Sequence, residues 1–277
     1  MKKPELRFYG ENEWEFVYPA SIDNATVYNA YWSGVELLDY EDSRAENIFK
    51  KLIAKHPYFL DAYNHLSIAF RNQNKTFESW LTAEKSYSLG KSILPETFII
   101  GKHKIHWGVL ENRGFLRACQ QYGLECQYHK DYEKAKSVYL ENLSYNQEDH
   151  QGIRYLLLEV YLAHKKLKEA RELINKYSKD YSIEFAFTSV ALEVLAGNYE
   201  KANAKLLEAI KINKHFVAEV IKEQHQKPPV YRLPGEPFFD AGIPIGSVQQ
   251  AYEYWKRNKV FYAKKELIAY FKENALS

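Results

Sequence analysis

Two arginines one helical turn apart are the first residues of this 277-residue chain that could do chemistry. Arg113 and Arg117 fall within W-G-V-L-E-N-R-G-F-L-R-A, residues 107–118, at positions i and i+4. On a helix that spacing puts both guanidinium groups on one face, as a fork for a carboxylate or a phosphate. Glu111 and Asn112 stand just before them. A companion stretch, N-Q-E-D-H-Q-G-I-R-Y-L-L-L at 146–158, is built alike, with Gln151 and Arg154 behind Asp149. Asn112 and Asp149 are types that cap helix starts, because a short side-chain acceptor satisfies an orphan backbone N–H. Capping accounts for one residue in each stretch. The arginines keep two readings: they bridge Glu111, Glu148 or Asp149 within the chain, or they meet an anion from outside.

Other chemistries find less support. His103 and His106 could share a helix face near Glu111, but they lack the i, i+4 histidine spacing of a helical metalloprotease. Cys119, Cys126 and His129 do not have zinc spacing either. There is no G-x-S-x-G elbow and no glycine loop to cradle a phosphate, and glycine is scarce at 12 residues. No catalytic residue, metal ligand or cofactor is assigned, and the chain is expected not to be an enzyme. Near the end, Lys256, Arg257, Lys259, Lys264, Lys265 and Lys272 are interleaved with Tyr254, Trp255, Tyr262 and Tyr270. A basic and aromatic mix can hold single-stranded nucleic acid. Glu253, Glu266 and Glu273 dilute the charge, and the aromatics recur at helical spacing, so a capping helix with a solvated face is the better reading.

The elements that must position these residues follow from bulk pattern and repeats. Hydrophobic residues make up 46% of the chain and charged residues 27%, which describes a folded chain. A net charge of +2 gives no general drive toward nucleic acid or anionic membranes. No stretch approaches the roughly 20 apolar residues that span a bilayer. The start, M-K-K-P-E-L-R-F-Y-G, lacks the apolar run of a signal peptide. Cys119 and Cys126 sit on one helix about 10 Å apart along its axis, too far for a disulfide. Reduced core cysteines fit a cytoplasmic protein.

Three phrases recur: D-Y-E-K-A at 131–135, K-L-K-E-A at 166–170 and G-N-Y-E-K-A at 197–202. Each ends in alanine and is followed four residues later by Tyr139, Ile174 or Leu206. Ala45 and Phe49, and Ala83 and Tyr87, repeat the spacing upstream, with Pro57 and Pro95 beyond. Before the alanines, Tyr63, Leu66, Ser67 and Phe70 mark one helical face, as do Cys119, Tyr122, Gly123 and Cys126, and Arg154, Leu157, Leu158 and Tyr161. The physical reading is a helical hairpin whose first helix is small where its partner crosses, with alanine opposite.

This pattern closely resembles the tetratricopeptide repeat. The resemblance implies an all-α, right-handed α-solenoid of about five hairpins, at 26–59, 60–95, 112–149, 150–182 and 183–214, with 96–111 as an insertion. The second unit is expected to carry extra residues between its helices. An irregular bundle with coincidental spacing is the rival reading. In such a stack each hairpin is stable only against its neighbours, and the first helices line a concave surface.

Around the superhelix of 26–226, residues 1–25 are expected as an extended segment on the first hairpin, with Trp14, Phe16 and Tyr18 alternating. Residues 227–246 hold five of nine prolines and are expected as a packed, non-helical segment, because Val230, Tyr231, Leu233, Phe238, Phe239 and Ile243 would be costly to leave wet. Ser247 is expected to cap a final stretch, 247–277, broken near Asn258, with Tyr252, Trp255, Phe261, Leu267, Ile268 and Phe271 closing the stack.

The two polar stretches carry a narrower resemblance. W-G-V-L-E-N-R-G-F-L-R-A, D-Y-E-K-A and N-Q-E-D-H-Q-G-I-R-Y-L-L look like a group of bacterial tetratricopeptide proteins associated with the suppressor of tumorigenicity 7 family. It covers roughly 105–215 and, more loosely, the tail to 275. Gly114 and Gln147 stand where that pattern has proline, and His150 where it has asparagine. The group brings no known reaction or cofactor.

The function expected is a non-catalytic scaffold or adaptor that binds a protein or peptide in the groove. Tyr31, Asn64, Arg71, Arg113, Arg117, Gln120, Tyr155 and Glu159 are its candidate lining. Tyrosine, arginine and asparagine together can grip a peptide by stacking and by hydrogen bonds. One alternative is a sensor of a small anionic ligand or signalling peptide at Arg113 and Arg117. Another is RNA binding through the basic C-terminal helices. No membrane or nucleic-acid partner is favoured, and the sequence leaves the oligomeric state open.

Overall fold

Five helix pairs follow one another along the chain. In the computed structural model, which describes residues 2–230, 232–233, 236–240 and 242–275, they are α1 (Ala25–Val35) with α2 (Asp42–Lys55), α3 (Leu60–Asn72) with α4 (Thr76–Lys91), α5 (Arg113–Tyr128) with α6 (Tyr132–Tyr145), α7 (Ile153–Ala163) with α8 (Leu167–Lys176), and α9 (Ile183–Leu195) with α10 (Tyr199–Ile212). Each pair falls inside one expected repeat, except that α1 begins one residue before the first, at Ala25. The alanines that mark the pattern, Ala45, Ala83, Ala135, Ala170 and Ala202, are all fully buried. Small residues on the first helices meet large ones on the second: a Cβ added at Gly34 would lie 2.8 Å from the Phe49 ring. The chain divides inside α7 into two compact units, Met1–Leu157 and Leu158–Ser277.

The turns repeat as faithfully as the helices. Asn74, Lys130, Lys165 and Gly197 each precede a second helix by two residues and take positive φ, at 59°, 63°, 58° and 75°. One residue later, the amides of Lys75, Asp131, Lys166 and Asn198 donate back five residues to the carbonyls of Phe70, Cys126, Tyr161 and Glu193 at 2.8–2.9 Å. This is the Schellman ending, which satisfies carbonyls the helix leaves orphaned. The extra residues expected between α3 and α4 are not there. That turn is as short as its counterparts, and the longer connection joins α1 to α2.

In the first unit, Tyr18 and Ile22 do pack with Val27, Tyr31 and Phe49 of the first hairpin, but residues 5–17 are not a single extended segment on it. They form an antiparallel pair, β1 (Glu5–Gly10) and β2 (Glu13–Val17), joined by Glu11 and Asn12, both at positive φ as such two-residue connections require. The pair docks on the third hairpin. Trp14 N donates to Lys104 O at 2.9 Å, and Phe16 packs on Phe115 with ring centroids 5.2 Å apart. Asn112 makes the joint. Its Oδ1 accepts from Phe16 N at 2.9 Å, and its Nδ2 donates to Trp14 O and His106 O, both at 3.1 Å. Asn112 sits in a 3-10 turn, Leu110–Asn112, and makes no capping bond, so the N-cap expected of it is corrected. Its amide satisfies strand groups that would otherwise be buried unpaired. Asp149 does satisfy helix-start amides, accepting from Ile153 N at 2.7 Å and Arg154 N at 3.0 Å.

The second unit contains α8 to α10, the short α11 (Phe216–Val220), a hairpin of β3 (Arg232–Leu233) and β4 (Glu236–Asp240), α12 (Val248–Tyr262) and α13 (Lys265–Asn274). Ser247 caps α12 by accepting from Gln250 N at 3.1 Å, and Asn258 breaks it with non-helical φ −113°. Phe261, Leu267 and Phe271 are buried. So are Tyr254, Tyr262 and Tyr270, which fits the capping helix that their helical spacing favoured over a basic and aromatic surface. The Tyr254 hydroxyl lies 2.7 Å from Thr188 Oγ1 and 2.8 Å from Tyr262 Oη, so these phenols are core groups with partners. Val230 and Ile243 are exposed, contrary to the packing expected of them. Tyr231 and the side chains of Leu233, Phe238 and Phe239 lie outside the described residues.

Buried carboxylates tie helices together in both units. Burial alone would raise the Glu46 pKa, but hydrogen bonds from Lys50, Lys75 and Gln73 reverse the sign and hold it at about 2. Glu193 behaves alike, with burial outweighed by Lys205, Asn198 and Arg171, again at about 2. An unfolded glutamate titrates near pH 4.3, so both groups have depressed folded pKa values. Their stabilisation is fully present above about pH 4.3 and is lost as the pH falls toward about 2. Circular dichroism of an acid titration should show stability declining through this window, with a shallower decline for Glu46→Gln and Glu193→Gln. Equal slopes in wild type and variants would contradict the assignment.

Candidate functional site

The first helices of the second and third hairpins, α3 and α5, are joined by three polar rungs. Arg117 Nη1 donates to Asp61 Oδ1 at 3.0 Å. One turn along α5, Gln121 Nε2 donates to Ser67 Oγ at 3.2 Å. One turn further, Arg71 pairs with Glu125 through both Nε and Nη2. Asn64 adds a fourth tie, donating to Gly114 O at 2.9 Å and accepting from Ser86 Oγ at 2.7 Å. Arg117 therefore meets a carboxylate inside the chain, though none of the three proposed from sequence.

Arg113 is held differently. Its Nε donates to Trp107 O at 3.0 Å, and its guanidinium lies over the Trp107 ring, 5.1 Å from the centroid. Arg117 approaches the same ring at 5.4 Å. Cation–ring contacts of this kind are favourable by roughly 0.5–1 kcal/mol when exposed. Among the described residues, the terminal nitrogens of Arg113 have no hydrogen-bond partner. Tyr28 is pushed up to about 12, first by burial and then by Asp23, Asp61 and Glu111. His65 completes the surface, with Nδ1 2.9 Å from Asp61 O and 3.2 Å from the Tyr31 hydroxyl. Burial lowers its pKa, so the ring is neutral at pH 7.

The other expected lining residues divide. Tyr31 is 2% exposed and packs with Phe49 and Phe59, and Asn64 is also 2% exposed, so both are buried and do not form an open lining. Gln120 accepts from Gln151 Nε2 at 3.0 Å. Tyr155 is half-buried beneath the Arg154 guanidinium, 4.3 Å from its ring centroid. Glu159, in the second unit, is buried and accepts from Arg257 Nε at 2.6 Å. The structure thus gathers Arg71, Arg113 and Arg117 on the α3–α5 surface with Asp61, His65, Trp107 and Gln121, which sequence reasoning missed. One signal was present. Asp61 and Arg117 are 56 positions apart, as are Tyr63 and Cys119, so opposite charges occupy matching positions of successive first helices.

Reactive chemistry is not concentrated here. Cys119 and Cys126 are free and buried, and burial raises the thiol pKa of both, Cys126 to about 11. Thiolate, the reactive form, is suppressed. Among the described residues no cluster of three His, Cys, Asp or Glu could hold a metal, and no helix is long and apolar enough to cross a membrane. At the C-terminal helices, Arg257 is bound by Glu159 and Glu184, and the buried Tyr254, Tyr262 and Tyr270 are not available to stack on bases.

A protein of Podosopora anserina, described as a kinesin light chain with nearly identical tetratricopeptide-like repeats, superposes with a TM-score of 0.51 at 12% identity, over 67% of this chain and 94% of its own. YrrB, a tetratricopeptide protein with an unusual peptide-binding site, superposes at 0.47 and 14% identity, over 66% of this chain and 84% of its own. No family model and no curated protein matches the chain. The first likeness establishes the fold: an all-α solenoid class built of tetratricopeptide-like hairpins.

Proposed function

We propose that this chain is a non-catalytic scaffold that binds a protein or peptide along the first helices of its hairpins, with the α3–α5 surface of the first unit as a contact. The supporting observation is the half-buried Trp107 ring carrying Arg113, whose Nε alone is engaged. A flat aromatic with a pre-positioned guanidinium is a rigid anchor that loses little entropy on binding. Asp61 already occupies the neighbouring Arg117, and an extended chain offers neutral carbonyl acceptors to Arg113.

Immobilised full-length protein should recover a set of partners from native lysate that falls several-fold for Arg113→Ala and for Trp107→Ala. Equal recovery by wild type and both variants would overturn the reading. Thermal-shift measurements with free carboxylates and phosphates separate the alternative, since a ligand at 100 times its Kd adds roughly 2.7 kcal/mol. Such a shift, lost in Arg113→Ala, would favour the small-anion sensor instead.

A further inference from the structure

One cavity of the second unit takes no part in the surface of α3 and α5. It measures about 440 Å³ and opens between α11, α12 and α13. That volume lies within the range of small-molecule sites, which are mostly apolar with a few placed polar groups. Val220 and Ile268 form an apolar floor, and Trp255 forms a wall. Lys259, Val260 and Ala263 line it too, and all three are exposed, so they mark its mouth.

The wall is held in place. The His225 ring stacks on Trp255 with centroids 3.4 Å apart and planes 11° from parallel. His225 Nδ1 lies 2.9 Å from Glu219 Oε1, and Glu219 is itself buried. Lys222 Nζ donates to the other oxygen of the same carboxylate. A held imidazole covers that face of Trp255, so the ring serves as an apolar wall and not as a bare platform for a base.

The charge inventory points to the ligand. Two lysines line the cavity, Lys222 and Lys259, and no carboxylate does. The charge of Lys222 is matched by Glu219 beneath it. Lys259 is left, and among the described residues it has no ionic partner. One uncompensated ammonium at the mouth of an apolar cavity suits a single negative charge. The body behind that charge gains by covering the floor, since apolar surface leaves water. We propose that this cavity binds a small amphiphilic monoanion, with a carboxylate on Lys259 Nζ and an apolar body against Val220, Ile268 and Trp255. A phosphate dianion would leave one charge unmatched.

Titration of the full chain with sodium octanoate tests this. Trp255 is the one tryptophan of the second unit, so binding should change the fluorescence, and the change should vanish in Trp255→Phe. Calorimetry should give a Kd of about 1 mM or tighter. Lys259→Met, at an exposed position that leaves the core untouched, should weaken binding by about tenfold, as the loss of one charge-assisted hydrogen bond implies. Ala263→Phe should abolish binding by filling the mouth. 1-Octanol has the same body without the charge and should bind about tenfold more weakly than octanoate. Equal Kd values for octanoate and 1-octanol, or an unchanged Kd in Lys259→Met, would overturn the anion assignment. No octanoate binding at about 10 mM, or a fluorescence change that persists in Trp255→Phe, would overturn the site itself.

Discussion

Replacing Arg71 with methionine should destabilise the first unit by about 3–5 kcal/mol, the largest single-site effect expected in this protein. Glu125 is fully buried, and its carboxylate is held by Arg71 together with Ser79 Oγ at 2.7 Å. Removing the arginine leaves a buried charge with hydroxyl and amide partners only. The guanidinium also lies over the Tyr128 ring, 4.8 Å from its centroid, so stacking is lost as well. Four of the five tryptophans, Trp14, Trp32, Trp80 and Trp107, lie in the first unit, so urea unfolding followed by their fluorescence reads it directly. The double variant Arg71→Met with Glu125→Met should recover much of the loss, because buried ion pairs are often replaceable by apolar residues of similar size. A loss under 1 kcal/mol in Arg71→Met would mean that the Glu125 carboxylate reaches solvent, contrary to its burial.

Gly123→Val is the second. Glycine inside a helix usually costs about 1 kcal/mol relative to alanine, so removing one normally stabilises. Here the sign inverts. A Cβ at Gly123 would lie 2.2 Å from Tyr139 Cε1 and 2.7 Å from Cδ1, on a ring that is itself fully buried. Relieving that contact requires α5 and α6 to part, and overpacking of this kind costs about 1–3 kcal/mol, more when backbone must move. Alanine should already destabilise, and valine, with two further methyl groups, should do so more. Trimming the ring in Gly123→Ala with Tyr139→Leu should restore part of the loss. If Gly123→Ala alone raised the urea midpoint, the close crossing of α5 and α6 would be wrong.

The sequence was a good guide where structure depends on short spacings. The recurring alanines, the small residue at Gly123 and the large one at Tyr139 each specify a crossing between helices only a turn apart in sequence. Five hairpins followed from that local pattern, as did the Ser247 cap and the break at Asn258, since these are properties of neighbouring backbone. Contacts between residues far apart in sequence were not legible. Asn112 looked like a cap because its type and position fit one, but a strand 96 residues earlier claims its amide. Tyr254 and Tyr262 recur at helical spacing, which favoured a packed capping helix, but that Thr188 and each other satisfy their hydroxyls inside was not legible. Tyr31 and Asn64 were assigned to a groove by their position in the repeat, and neighbouring helices bury them.

Arg113 and Arg117 show the division most plainly. Their spacing placed both on one face of a helix, which the i, i+4 geometry dictates by itself. Their fates differ because Asp61 lies on the adjacent helix within reach of one, while Trp107, turned back from the insertion, carries the other. Helix periodicity is written in the chain residue by residue. The partner of a side chain is decided by which distant segments packing brings alongside it.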